Sequence, residues 1–469
     1  MDTMLIGLDA DQRTFVRQAK PATVRNRMGR LLRAAALVAA MAPLAPLHAQ
    51  DDETAVAAHY PHGNAVADWN SFALEVFAPS QGTNPMLQSR TLAIFHASIH
   101  DALNAIQRRF KPYTPGLTAA AGTSPEAAVA AAAREVLATL LPDQQAHVDA
   151  AYQETLAAIQ DGPAKAAGIA AGRAAARANL ARRQGDGHDT AAEPAYVPQP
   201  GAGEYQFTPP FDFAAQPGWG RVRPFVIVLE EHALRGPLAL SSARYARDLA
   251  QVKAIGRVDS TTRTAEQAEI AQFWYEDSPL GWNRIANTVV RQKALDPWAA
   301  ARAFALVNFA MADGFIAGFE TKYHFRFWRP ETAIREAATD GNPRTEMDAT
   351  WQPFLTTPPV PDYPSTHTVL GAAAAEVLAE LFGDRVRYST TSLTLPGVTR
   401  QFQGFSMAAR ENGLSRIFAG IHFRHAVQDG FRQGRSVGQA VADVLEPVRG
   451  PRPHGHGGPG SADHHATAD

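Results

Sequence analysis

FALVNFAMADGFIAGFETKYHFRFWRP, residues 304–330, decides the fold and carries the first part of the site. It continues a run from Pro297 whose apolar spacing predicts a helix over 297–320. Lys322 and Arg329 follow, seven residues apart, so on a helix they would face the same way two turns apart. Pro330 biases Arg329 out of helical geometry, placing it near the helix end where its side chain can turn into a pocket. Tyr323, Phe325, Phe327 and Trp328 surround the pair and imply burial, and buried cations need anionic partners. His324 and Arg326 have no such spacing and are read as structural.

Two later segments match the first in chemical purpose. PSTH (364–367) precedes the helical run TVLGAAAAEVLAELFGD, so Ser365 and Thr366 fall at a helix N-terminus, where free backbone N–H groups and the helix dipole favour an anion. Plain N-capping would explain Ser365. It would not explain His367 just inside the helix, or Pro364 stiffening the approach. SRIFAGIH (415–422) adds Arg416 and His422, six apart and therefore not on one face of a continuous helix, with Gly420 between them permitting a bend. Residues 322–330, 364–367 and 415–422 contain no acidic side chain. Three cations, two imidazoles and a hydroxyl suit a compact tetrahedral oxyanion.

Outward from these segments, helix signals dominate at 87–109, 126–141, 144–159 and 164–183, the last rich in alanine and ended by Gly185 and Gly187. Further helices are expected at 241–256, 264–275, 283–292, 365–382, 406–411 and 424–445. Only 221–229 and 391–399 read as strands. Residues 191–224, dense in proline, glycine and aromatics, form a long crossover that could shape a substrate mouth or a dimer contact. The fold class is mainly α, two helical bundles packed together, with 50–240 an N-terminal half including the crossover and 241–449 a C-terminal bundle.

Composition narrows the function classes. The 469 residues carry a net charge of −2, so no global basic field argues for nucleic acid, and the cationic site is a local feature. The chain has no cysteine, which excludes thiol nucleophiles, disulfides and thiolate metal sites. Residues 1–49 resemble an export signal, with Arg25, Arg27, Arg30 and Arg33 before an apolar run and Leu47-His48-Ala49 as the cleavage site. That predicts a periplasmic or secreted product; an uncleaved anchor or a start at Met28 are the alternatives. The Gly/Pro/His-rich segment 450–469 is expected to be disordered.

The pattern Lys-x6-Arg-Pro, Pro-Ser-x-His, Ser-Arg-x5-His resembles the signature of the type 2 phosphatidic acid phosphatase and vanadium haloperoxidase superfamily. RTLAIFHASIHDALNAI (90–106) and FWYEDSPLGWNRIA (273–286) are similar to its bacterial haloperoxidase branch. The resemblance implies vanadate as cofactor, bonded to His422, with Lys322, Arg329 and Arg416 neutralising its oxygens and Ser365 and the Thr366 backbone N–H donating to it. It implies that His367 exchanges protons with hydrogen peroxide, that Lys322 polarises the peroxide, and that Asp277 orients Arg416. Halide and peroxide are then the substrates, bromide or chloride the halide; a small organic acceptor and a homodimer remain open. An acid phosphatase working through a phosphohistidine at His422 is the first rival, and a non-catalytic oxyanion binder the second. Intact His367 and His422 speak against the second. Thr366 stands where the pattern has glycine, and Val360 and Phe319 depart from relatives' residues at positions tied to halide preference. His425 and Asp429, one turn apart, are read mainly as helix-surface groups.

Overall fold

The computed structural model describes residues 63–77 and 84–448. The export-signal and tail expectations lie outside these residues. Thirteen α-helices and one two-stranded hairpin make up the described chain. The N-terminal helices are α1 (Ala65–Phe77), α2 (Pro85–Ile106), α3 (Pro125–Leu140), α4 (Gln145–Ala157) and α5 (Pro163–Arg182). After the crossover come α6 (Ala243–Ile255), α7 (Ala265–Phe273), α8 (Ser278–Gln292), α9 (Pro297–Phe325) and α10 (Pro330–Arg335). The hairpin, β1 (Tyr388–Thr391) with β2 (Thr399–Phe402), lies between α11 (Thr366–Phe382) and the last two helices, α12 (Phe405–Phe418) and α13 (Arg424–Ala442).

Helix α9 is the axle. Asp296 caps it by accepting from the N–H groups of Trp298 and Ala299, and Pro297 fixes its first turn. Its 29 residues are apolar on nearly every side because α2 packs on one flank and α11 and α13 on another. It is apolar and long enough to span a bilayer, yet it is buried in protein. Helices α11 and α13 approach closely at Gly434, where a Cβ would stand 2.2 Å from the Val369 carbonyl oxygen. That contact locks the second and third motif segments against each other.

Two strand expectations fail for physical reasons. Residues 221–229 form no ladder, because the N–H groups of Phe225, Val226 and Ile227 donate to the Asp313 carboxylate on α9, at 2.6, 2.8 and 3.0 Å. One buried acid replaces a neighbouring strand. Residues 391–399 are mostly the loop of the hairpin, broken by Pro396-Gly397 and held by Leu393 N–H donating to Glu276. The helix expected at 406–411 runs on to Phe418, while α1 and α10 had no expectation at all.

Candidate active site

The three motif segments converge on one cavity of about 310 Å³, lined among others by Lys322, Arg329, Thr366, His367, Arg416 and His422. Lys322 and Arg329 do not share a helix. Helix α9 ends at Phe325, Arg326 caps it in the left-handed region at φ 48°, and Arg329 is extended ahead of α10. The crossover clamps this turn: Trp328 N–H donates to Gly203 O and Tyr205 N–H to Arg326 O. Arg416 is on the last turn of α12, and His422 follows a bend at Gly420, whose φ is +82°. A Cβ there would sit 2.2 Å from the Gly256 carbonyl oxygen, so the bend requires glycine.

Lys322, Arg329 and Arg416 are only 1%, 1% and 3% exposed. Their hydrogen bonds go largely to carbonyls. Lys322 Nζ donates to Pro361 O at 2.6 Å and Asp362 O at 3.1 Å. Arg329 donates to Val360 O and Ile421 O, and Arg416 to Trp274 O and Ser415 Oγ. Burial lowers all three pKa values, that of Arg416 to about 10. Carbonyl dipoles orient these cations, and the Asp362 carboxyl offsets part of the charge of Lys322 and Arg329, which leaves a cluster with more buried cations than acids.

The histidines are neutral. His422 and His367 are both held well below the usual imidazole range, by burial first and by neighbouring cations second. Arg329 Nη1 lies 2.9 Å from His422 Nε2. Guanidinium can only donate, so Nε2 accepts and the ring proton is on Nδ1. Nδ1 faces Asp362 Oδ1 at 2.7 Å, close but off the line of a hydrogen bond, which leaves both atoms unpaired. Asp362 is fully buried; burial pushes its carboxyl up to about 6, opposed by Arg329, His425 and Lys322. The Nε2 lone pair of His422 thus points into the cage, where Arg329 Nη1 now donates to it, with a carboxyl group behind the ring. Sequence reading missed Asp362. The signal was there, an acid three residues before Ser365, just outside the segment inspected.

His367 is braced by Ser278 Oγ at 3.1 Å from Nδ1, and its buried Nε2 has no partner. The Thr366 hydroxyl is likewise buried and unpaired, and its side chain packs on Gly318 of α9, which leaves room for a residue larger than glycine. Ser365 is fully buried behind the cavity wall. It makes no side-chain capping bond, which disposes of the plain N-cap reading, and its Oγ accepts from Thr368 Oγ1 at 2.9 Å. Asp277 lines the same cavity as Arg416 and accepts from Gln88 Nε2. His425 and Asp429 are not surface groups. Both are buried: His425 is bound to Asp248 through Nδ1 and its backbone N–H, and Asp429 accepts from the Tyr363 hydroxyl at 2.5 Å. They brace the segment that carries Asp362 and Ser365.

Fold and site together define a helical-bundle protein with a buried cluster of three cations and two histidines around one cavity. Comparison with known proteins shows where the likeness lies. The VCPO second helical-bundle domain matches residues 302–450. Vanadium chloroperoxidase of Curvularia inaequalis is 27% identical over 286 residues, a match spanning 46% of this chain and 46% of that protein, about half its length. The structure described as the first bacterial vanadium-dependent iodoperoxidase superposes with a TM-score of 0.71 at 26% identity, covering 83% of this chain and 98% of that one. A holo-type bacterial vanadium-dependent chloroperoxidase superposes at 0.62 with 17% identity, over 77% of this chain and 92% of that one, a likeness of fold alone. Residues 302–450 thus match the second helical-bundle domain of the VCPO family, and the described fold is similar to those of the bacterial vanadium-dependent haloperoxidase structures.

Proposed function

We propose that this protein is a vanadate-dependent haloperoxidase that oxidises a halide with hydrogen peroxide to hypohalous acid. The observation that carries this reading is the pairing of a cation cage with His422, whose Nε2 lone pair turns toward the cage and accepts from Arg329 while its Nδ1 faces Asp362. The residues fit the group. Three buried cations call for a multiply charged oxyanion, the unpaired Thr366 hydroxyl and His367 Nε2 offer it further polar contacts, and His422 Nε2 would offer one bond to its central atom once Arg329 Nη1 turns from that nitrogen to the oxyanion. Among the described residues no cluster of three His, Cys, Asp or Glu side chains would hold a bare cation, so the cage suits a metal arriving as an oxyanion.

Vanadate, when bound, supplies a Lewis-acidic centre that makes peroxide oxygen electrophilic toward halide. Lys322, Arg329 and Arg416 would hold its charge from buried positions, where fixed donors act without reorganising. His422 would contribute Nε2, with the Asp362 carboxyl 2.7 Å from Nδ1 favouring the proton on that nitrogen electrostatically. His367, neutral and with Nε2 unpaired, can take a proton from peroxide and return it to the leaving water. Neutrality is what permits that, since a protonated ring has no site to accept.

The same cage accepts phosphate, a near-isostere, so a phosphatase with His422 as nucleophile is the reading to exclude. Purified protein stripped of anions, then loaded with orthovanadate, is assayed for iodide, bromide and chloride oxidation beside p-nitrophenyl phosphate hydrolysis. Vanadate-dependent halide oxidation is expected. Phosphate ester hydrolysis with no halide oxidation at any vanadate concentration would sink the proposal.

A further inference from the structure

Arg416 takes its position from Trp274, whose carbonyl oxygen accepts from Nη2 at 2.8 Å. Trp274 directly follows α7, and the last carbonyls of a helix lack partners within it. The loop of the β1–β2 hairpin takes up two of them. Ser392 Oγ donates to Phe273 O at 2.6 Å and Thr394 Oγ1 to Gln272 O at 2.8 Å. Between them, Leu393 N–H donates to the Glu276 carboxylate at 3.0 Å. The next carbonyl in line, that of Trp274, is left to the cage, where the negative end of the α7 dipole meets a cation. The same carbonyl acts on His367: burial and then Arg416 hold that ring's pKa down, and the Trp274 carbonyl opposes them. One backbone oxygen thus serves two residues of the site.

The Trp274 indole is fixed by the hairpin as well. Its Nε1–H donates to Glu411 Oε1 at 3.0 Å, and its ring packs against Trp282 and against Phe402 of β2, with centroids 6.0 and 5.9 Å away. Arg400 of β2 grips Glu411 with its fork, Nε to Oε1 at 2.6 Å and Nη2 to Oε2 at 3.0 Å. Arg400 and Phe402 are two apart on one strand and share a face. The Arg400 side chain is 13% exposed and also donates to Glu266 and Glu269 of α7, both at 2.6 Å. Isolated surface pairs are worth little, whereas one guanidinium shared by three carboxylates forms a network. We infer that the hairpin is a positioning clamp for the cage: Arg400, acting through Glu411 and Trp274, sets where the Arg416 guanidinium and the His367 ring stand. None of the three lines the cavity, so each acts through another residue. The clamp itself is independent of the haloperoxidase reading; its effect on peroxide turnover rests on that reading.

Two variants break the chain at different links. Trp274→Phe removes the indole donor and keeps an aromatic ring, and Arg400→Gln removes the fork. Gln401→Ala, on the exposed side of the same strand, is the control. Phosphate binding to anion-stripped protein is measured by calorimetry, with melting temperature recorded for each protein. Vanadate-loaded proteins are then assayed for bromide oxidation against peroxide and against bromide. Phosphate affinity should fall roughly three- to tenfold in Trp274→Phe and Arg400→Gln and hold in Gln401→Ala. The kcat/KM for peroxide should fall by at least that factor while the KM for bromide stays the same, because His367 handles the proton of peroxide alone. Lower melting temperatures with unchanged phosphate affinity and unchanged kcat/KM would overturn the inference, since the hairpin would then only stabilise the fold. An equal loss of affinity in Gln401→Ala would overturn it too. Weakened phosphate binding in the two variants, with no halide oxidation by any of the proteins, would uphold the clamp and remove the proposed function instead.

Discussion

Asp362→Asn tests the most specific feature of the site. The carboxylate is 2.7 Å from Nδ1 of His422, fully buried, and also acted on by Lys322 and Arg329. Two consequences of removing its charge oppose each other. An anion in the cage, roughly 7 Å away across the imidazole, loses a repulsion of about 2 kcal/mol at an effective dielectric of 20. The His422 ring loses the charge beside Nδ1 that favours the proton there and strengthens Nε2 as a donor, a change that typically weakens binding to the histidine by roughly 10- to 100-fold. Phosphate feels mainly the first effect and vanadate feels both, so their affinity ratio cancels the common electrostatics. The preference for vanadate over phosphate should fall roughly 10- to 100-fold, about 1.4–2.7 kcal/mol. Phosphate itself should bind as well or better. Competition calorimetry on anion-stripped protein reads both constants. If both ligands shift by the same factor in the same direction, Asp362 acts only as a charge and the tautomer argument is wrong.

Other expectations follow from single contacts. Thr366→Val removes a buried, unpaired hydroxyl while keeping the packing on Gly318. Melting temperature should hold or rise, and phosphate affinity should drop roughly five- to tenfold if the hydroxyl donates to the anion; unchanged affinity would show that it does not. Asp313→Ala would strand three backbone N–H groups of the crossover and cost about 3 kcal/mol in denaturant unfolding, with faster amide exchange at 225–227. His96 is fully buried, its ring held down at about 3 by burial, against an ordinary 6.5. A depressed imidazole contributes stability that is complete above pH 6.5 and lost as pH falls from there toward 3, up to about 4–5 kcal/mol. The His96→Gln variant should show a flatter stability curve between pH 6.5 and 4, and a curve as steep as wild type would assign acid sensitivity elsewhere.

Legibility in the sequence followed the range of the forces involved. Helices with a regular apolar stripe and local caps, such as α2 with Asn84 and Pro85 at its start, could be placed within a few residues. The hairpin and the 221–229 segment could not. Their backbone partners are set by Glu276 and Asp313, distant in sequence, and β propensity says nothing of a carboxylate replacing a strand. Within the site, the cations and both histidines announced themselves by clustering in three short segments. Asp362 did not, since its meaning depends on His422, sixty residues later. Lys322 and Arg329 reached the same cavity for a reason other than the one their spacing suggested: the helix ends between them, and the two side chains meet across a turn. His425 and Asp429 looked like helix-surface groups because only tertiary packing shows that α6 and Tyr363 cover them.

The central claim is that His422 bonds through Nε2 to a vanadate held by Lys322, Arg329 and Arg416. A crystal structure of vanadate-soaked protein, with anomalous scattering collected at the vanadium edge, tests it directly. The account predicts one strong anomalous peak at bonding distance from Nε2 of His422, inside the cation cage, and its loss in His422→Ala. A peak elsewhere, or a cage that takes up no vanadate while wild-type folding is intact, would contradict it.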